Sequence, residues 1–455
     1  MSNERPVGVA FGRAGQALWI AAILAPTVWA VLQPRPAWSV PVLVVGVLAP
    51  VHGAATFIRS GGERLTPSGL FSLTLGLLLG LGSYPIWEGE PAGQFLAIAA
   101  LTAFAVQILA TPHRPSALAQ LPSLELVAMD QRDRLLERTG LATFLIALAS
   151  TAVLGRGNVL GELLALAAIV VIAILYSMSR PTLLLRVATP GFLVLVYAAL
   201  IHSGDGRLRL VGAACAVLFA AAMVSHGSQL KKLVVGALPL GLFTLAWLRI
   251  RHVESIREGL GEGRNGLESG IVPVGIYRDL LVARASGAVG SGAGSSYLSV
   301  PSRLTGGAVP GLEHNAIGYE LVAVTAPERF GSNFSVAGLA VAEWVYNFGL
   351  FTLPLFVIIL TFMLGRLDDV LAATWAWLGQ NRRPAAVLVA GVALTVFSGL
   401  ADFAWGGSHT MMMRVLLRTL PLVFIAFLFG LMENPQARAR QDLDQQRVPA
   451  ERVRS

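Results

Sequence analysis

Lysine is almost missing from this chain: of its 34 basic residues only Lys231 and Lys232 are not arginine. Charge of either sign is scarce, at 13% of residues, where a soluble domain carries roughly a quarter. The shortage excludes an ordinary water-soluble globule. Cysteine occurs once, as Cys215 inside an apolar segment, so no disulfide framework exists. No P-loop, zinc-ligand spacing, HExxH or Ser-His-Asp order is present, and neither a cofactor nor a metal is expected.

What is there is apolar. The 455 residues are 55% hydrophobic, with a mean hydropathy of +0.67. A membrane-crossing helix needs about 20 predominantly apolar residues. About twelve stretches qualify, near 14–32, 39–58, 68–86, 92–111, 138–155, 159–178, 181–201, 208–226, 231–249, 335–364, 384–402 and 412–432. The expected fold is all-α and polytopic, with the lipid bilayer as a partner. The first stretch, with Arg5 and Arg13 before it and Pro26 within it, has the look of a signal peptide, but no small-residue cleavage site follows and an uncleaved helix is expected.

The net charge of +8 does not mean nucleic acid, because the basic residues sit in short connectors and in the tail. Placing Arg59, Arg64, Arg132, Arg134, Arg138, Arg180, Lys231, Lys232, Arg366, Arg382 and Arg383 in the cytoplasm puts both termini there. Four parts follow: an apolar body at 1–250, an outer loop at 251–334, further membrane helices at 335–432, and a cytoplasmic tail at 433–455. Segment 112–137 is polar enough to form a cytoplasmic surface helix. Within the outer loop, 271–284 suits an interfacial or re-entrant helix, 287–296 (GAVGSGAGSS) a flexible linker, and 311–324 a short amphipathic helix.

Candidate chemistry gathers at the outer face. Arg414 and Arg418, four apart, share one stripe of the last span. A guanidinium fork suits phosphate, and arginine inside a span faces a cavity or a partner. Snorkelling, or pairing with Asp402 and Glu343, is the structural alternative. Glu343 lies about two turns into the span beginning near 335, with Asn347 four residues on; an intramembrane carboxylate serves either function or an internal pair. His314, between Glu313 and Asn315, is a candidate base for an external hydroxyl, against the alternative of a solvated loop histidine. His409 has a weaker claim on the same face.

The runs SYLSVPSRL, EHNAIGYEL and SNFSVAGLAVAEWVYNFGLFTLPLFVIIL resemble bacterial O-antigen (Wzy-type) repeat-unit polymerases. The matching features are Val300-Pro301-Ser302-Arg303, Gly331-Ser332, and Glu343 followed by Asn347-Phe348-Gly349. His314-Asn315 is similar to the His-Asn of the related O-antigen ligases, although about twenty residues intervene here before the next span. The resemblance covers roughly 295–365. It implies a glycosyltransferase at the outer face of the bacterial cytoplasmic membrane. The enzyme would pass an undecaprenyl-pyrophosphate-linked glycan chain onto a lipid-linked repeat unit, alongside a chain-length regulator and a flippase. His314 or Glu313 would then serve as base, with Glu343 a further catalytic candidate. Arg264, Arg278, Arg303, Arg414 and Arg418 would neutralise the departing pyrophosphate. An O-antigen ligase, or a flippase or exporter of lipid-linked oligosaccharide, is the alternative.

Overall fold

The computed structural model describes residues 13–237, 268–304, 317–322 and 338–432, apart from short stretches at 34, 36, 88, 112–114, 123–125, 127, 203–207, 224–226 and 381–383. Among the described residues the chain is helical throughout, with no strand. The first nine helices are α1 (Arg13–Leu32), α2 (Ser39–Arg59), α3 (Pro67–Gly82), α4 (Tyr84–Trp87), α5 (Gln94–Leu109), α6 (Gln131–Leu154), α7 (Val159–Ser179), α8 (Leu183–Val196) and α9 (Leu208–Ala222). Then come α10 (227–237), α11 (Glu268–Ala285), α12 (Ser299–Leu304), α13 (Ile317–Glu320), α14 (Ala340–Phe348), α15 (Leu353–Gln380) and α16 (Pro384–Met432).

Eight helical stretches among these residues are long and apolar enough to cross a membrane, fewer than the twelve expected. The shortfall has local causes. α5 reaches only 16 residues and α9 only 15, the expected span 231–249 is described only as far as 237, and the two expected at 384–402 and 412–432 run on as one stretch. Large apolar side chains lie on the outside, among them Leu32, Val153, Leu184 and Phe351, as suits helices whose solvent is lipid. Of the candidate spans among the described residues the most enclosed is α7, buried along nearly its whole length between α6, α8, α9 and α16.

Helix starts follow capping chemistry. The Thr66 hydroxyl accepts the Gly69 N–H at 3.1 Å, with Pro67 at the first helical position. Asn158 accepts from the Gly161 N–H at 2.7 Å ahead of α7. Asp130 and Asp133 form a capping box at the start of α6.

Several expectations change. Instead of a surface helix over 112–137, the described residues give a three-residue turn at Leu118–Gln120 and then the start of α6. Pro115 and Pro122 withhold amide donors there, and Asp368 of α15 binds the Ser116 hydroxyl (2.7 Å) and the Ala117 N–H (2.5 Å) instead. α11 is packed against α3 and α5, with Tyr277 fully buried and its hydroxyl 3.0 Å from Thr102 Oγ1. Of the expected amphipathic helix, the single turn α13 is described, its Ile317 and Leu321 buried; 305–316 lie outside the described residues.

The expected span 335–364 is two helices. Gly349 takes φ +88°, open to glycine and strained for other residues, and separates α14 from α15. Trp344 bridges the break, its indole N–H reaching Thr352 Oγ1 at 2.9 Å.

α16 is a hairpin. Gly407 (φ 78°) interrupts it, and residues far apart in sequence meet across it. A Cβ on Gly391 would lie 3.4 Å from Leu422, and one on Gly399 2.6 Å from Val415. In a straight helix Gly391 and Leu422 would be about 46 Å apart at 1.5 Å per residue. The arms 384–406 and 408–432 therefore run antiparallel, and the spans expected at 384–402 and 412–432 extend until they meet at Gly407.

Candidate functional site

The Gly407 turn is the centre of the polar interior. It exposes the first amide of the second arm, and Glu343 of α14 meets it. Ser408 N–H donates to Glu343 Oε2 at 2.6 Å, and Ser408 Oγ donates to Oε1 at 2.8 Å. Ser296 Oγ donates to the same Oε1 at 3.1 Å. Glu343 is 1% exposed. A carboxylate at a helix N-terminus satisfies an orphan donor and complements the helix dipole. Among the described residues its contacts are those of a cap, and none of them is to an arginine.

Asn347, one turn along α14, extends the network. Its Nδ2 donates to Ser296 Oγ at 2.7 Å and to the Glu343 carbonyl at 2.8 Å, while its Oδ1 accepts from the Gly294 N–H at 3.0 Å. Ser299 Oγ lies 2.7 Å from His409 Nδ1, joining α12 to the second arm.

The glycine-rich run at 287–296 is no free linker. Gly292 N–H donates to Tyr346 O at 3.0 Å, Ala293 N–H to Asn347 O at 3.1 Å, and Ser291 Oγ to the same Asn347 carbonyl at 2.7 Å. Arg284 donates to the Val345 carbonyl. The 291–293 groups satisfy the Tyr346 and Asn347 carbonyls that the break at Gly349 leaves without a helical partner, whereas the Val345 carbonyl keeps the Gly349 N–H at 2.9 Å and takes Arg284 in addition. Glycine serves close approach: a Cβ on Gly292 would fall 2.3 Å from the Tyr346 ring.

About one to three helical turns from Gly407 along the two arms lies a buried ion pair set. Asp402, 1% exposed, binds Arg414 of the opposite arm and meets Arg418 Nη1 at 3.0 Å. Arg418 Nη1 also approaches Ser398 Oγ at 3.5 Å. The two guanidiniums differ in access. Arg418 is 7% exposed, whereas the Arg414 side chain is 20% exposed and stacks over the Trp405 ring at 5.4 Å.

The candidates from sequence thus divide. Glu343, Asn347 and Gly349 come together around the turn; Arg414 and Arg418 share Asp402 just below it. Arg278 is exposed on α11 and pairs with its neighbour Asp279 at 2.7 Å. Arg303 falls in α12, its side chain outside the described set, and Arg264, Glu313, His314 and Asn315 lie outside the described residues. Sequence reasoning missed Ser296, Ser299, Ser408 and Arg284. The serines carry no signal of their own, because hydroxyls are ordinary in turns; only their placement opposite Glu343 distinguishes them. Among the described residues no group of three or more His, Cys, Asp or Glu side chains could hold a metal ion.

The chain matches no family model, no curated protein and no solved structure.

Proposed function

We propose that this protein is a membrane-embedded glycosyltransferase that extends a pyrophosphate-linked glycan chain by repeat units at the outer face of the cytoplasmic membrane. One observation carries the reading. Two guanidiniums share a single carboxylate inside an apolar helical body, and the more accessible of them, Arg414, lies about a turn and a half from the polar network at the hairpin turn. Arginine is costly in such surroundings unless it meets a partner or an anionic substrate. The accessible guanidinium fork of Arg414 suits a departing pyrophosphate, and the resemblance of 295–365 to repeat-unit polymerases points to the same substrate.

In this mechanism the acceptor hydroxyl oxygen bonds to the donor's anomeric carbon as that carbon's bond to the pyrophosphate oxygen breaks. The electron pair leaves with the pyrophosphate, whose charge Arg414 neutralises, with Arg418 behind it. Arg264, Arg278 and Arg303 extend the positive set along the neighbouring segments. The hydroxyl proton passes to His314 or Glu313. Glu343 holds the turn, and Asn347 and Gly349 shape the floor beneath it.

The test uses the purified chain in nanodiscs with an undecaprenyl-pyrophosphate-linked repeat unit. A ladder of products spaced by one unit supports the proposal. Unchanged lipid-linked unit from folded protein rejects it, and the next assays would supply a terminal acceptor or follow transbilayer movement.

A further inference from the structure

A second feature of the arginine pair concerns a different ligand. Arg418 lines a cavity of about 20 Å3 between α7, α9 and the α16 hairpin, with Leu166, Val170, Gly212, Thr395 and Ser398 among its walls. That is room for one occupant of the size of a water molecule or a monatomic ion, and too little for a phosphate group. Arg418 Nη2 is buried and has no hydrogen-bond partner in the protein. A buried donor left unpaired costs about 1–3 kcal/mol, so this one asks for an acceptor.

The local charge says what kind. Asp402 is the only acidic side chain bonded to either arginine among the described residues, which leaves one positive charge in excess. The hydroxyls of Ser398 and Thr395 donate to backbone carbonyls at 2.9 and 2.8 Å, so they add no acidic group. A neutral occupant would leave the excess charge uncompensated in an apolar interior; a monovalent anion compensates it.

We propose that this cavity is a binding site for a halide-sized anion, chloride by abundance, held by Arg418 Nη2 and stabilising the packing of the hairpin on α7 and α9. The site shares Arg418 with the transferase reading above but does not rest on it, and the melting test reads it without turnover.

The test measures thermal unfolding of the detergent-purified protein in sodium chloride, bromide or gluconate at constant ionic strength. Chloride and bromide should each raise the melting temperature saturably by a few degrees over gluconate, as mass action requires of a ligand bound to the folded state. Identical melting in all three salts would mean a water-filled cavity and overturn the proposal. Ala216→Val, which fills the cavity and leaves the charges intact, locates the effect. The variant should melt at one temperature in every salt. A halide response that survives the filling places the anion elsewhere and likewise overturns the assignment.

Discussion

Glu343 and Ser408 are joined by two hydrogen bonds across the hairpin turn, backbone amide to Oε2 at 2.6 Å and hydroxyl to Oε1 at 2.8 Å. The short helix α14 is thereby fastened to the start of the last arm. Glu343→Ala leaves the Ser408 amide buried without its acceptor and should cost about 1–3 kcal/mol. Ser408→Ala removes only the hydroxyl bond and should cost less. Thermal unfolding in detergent measures both; equal melting of Glu343→Ala and the parent would refute the capping role.

Asp402 stands between two guanidiniums, so its removal leaves both without a counter-charge. Asp402→Ala should destabilise the protein by about 3–5 kcal/mol. Replacing Asp402 and Arg418 together by leucine and methionine should recover much of that loss, because a buried pair exchanged for apolar side chains of similar volume is often neutral. A double variant no more stable than the single would contradict this account. Equilibrium unfolding in denaturant reads the difference.

Arg414 is the guanidinium with access, and its loss leaves the Asp402–Arg418 contact in place. Arg414→Ala should accumulate to normal levels and yet extend chains about a hundredfold more slowly, the scale on which a transition-state donor acts. Rates within a factor of two of the parent, measured in the ladder assay, would remove Arg414 from the mechanism.

Two glycines three residues or fewer from each other give opposite expectations. Gly292→Ala brings a methyl to within 2.3 Å of the Tyr346 ring and 2.8 Å of Asn347 Oδ1 and should cost about 1–3 kcal/mol. Gly290→Ala meets nothing within 4 Å and should be tolerated. Similar melting of the two variants would mean that 287–296 is the unconstrained linker expected from its composition.

The connector between α2 and α3 supplies a pH dependence. Glu63 accepts the Ser228 N–H at 2.9 Å, and that bond holds its carboxyl below the usual glutamate value. A folded value lower than the unfolded one adds stability that is fully present at neutral pH. That stability is lost as the pH falls from the unfolded value through the folded one. Glu63→Gln should therefore lower melting at neutral and alkaline pH by a constant amount and converge with the parent at acid pH, flattening part of the acid limb. An unaltered acid limb would count against the bond.

Much of the fold was legible because lipid demands long apolar runs. The expected 14–32, 39–58 and 159–178 agree with α1, α2 and α7 to within a residue or so at each end. The break at Gly349 escaped notice since hydropathy averages over a window, and one glycine among Phe348, Leu350 and Phe351 leaves the average high. Composition also misled at 287–296: glycine and serine permit flexibility, but equally permit the close backbone pairing found with Tyr346 and Asn347. The pairing of Arg414 with Asp402 stood among the sequence alternatives, since both lie on spans meeting at one face. Ser299 with His409, 110 residues apart, had no local signature at all.

The divided span at Gly349 also bears on how the chain is assembled. A translocation channel reading hydropathy meets 335–364 as one continuous membrane-stopping signal. Yet the Tyr346 and Asn347 carbonyls at the end of α14 accept from Ser291, Gly292 and Ala293, which arrive earlier from the ribosome. Those donors therefore find their partners only when the later helix emerges. The Gly407 hairpin, synthesised after both, then caps the network by its hydrogen bonds to Glu343.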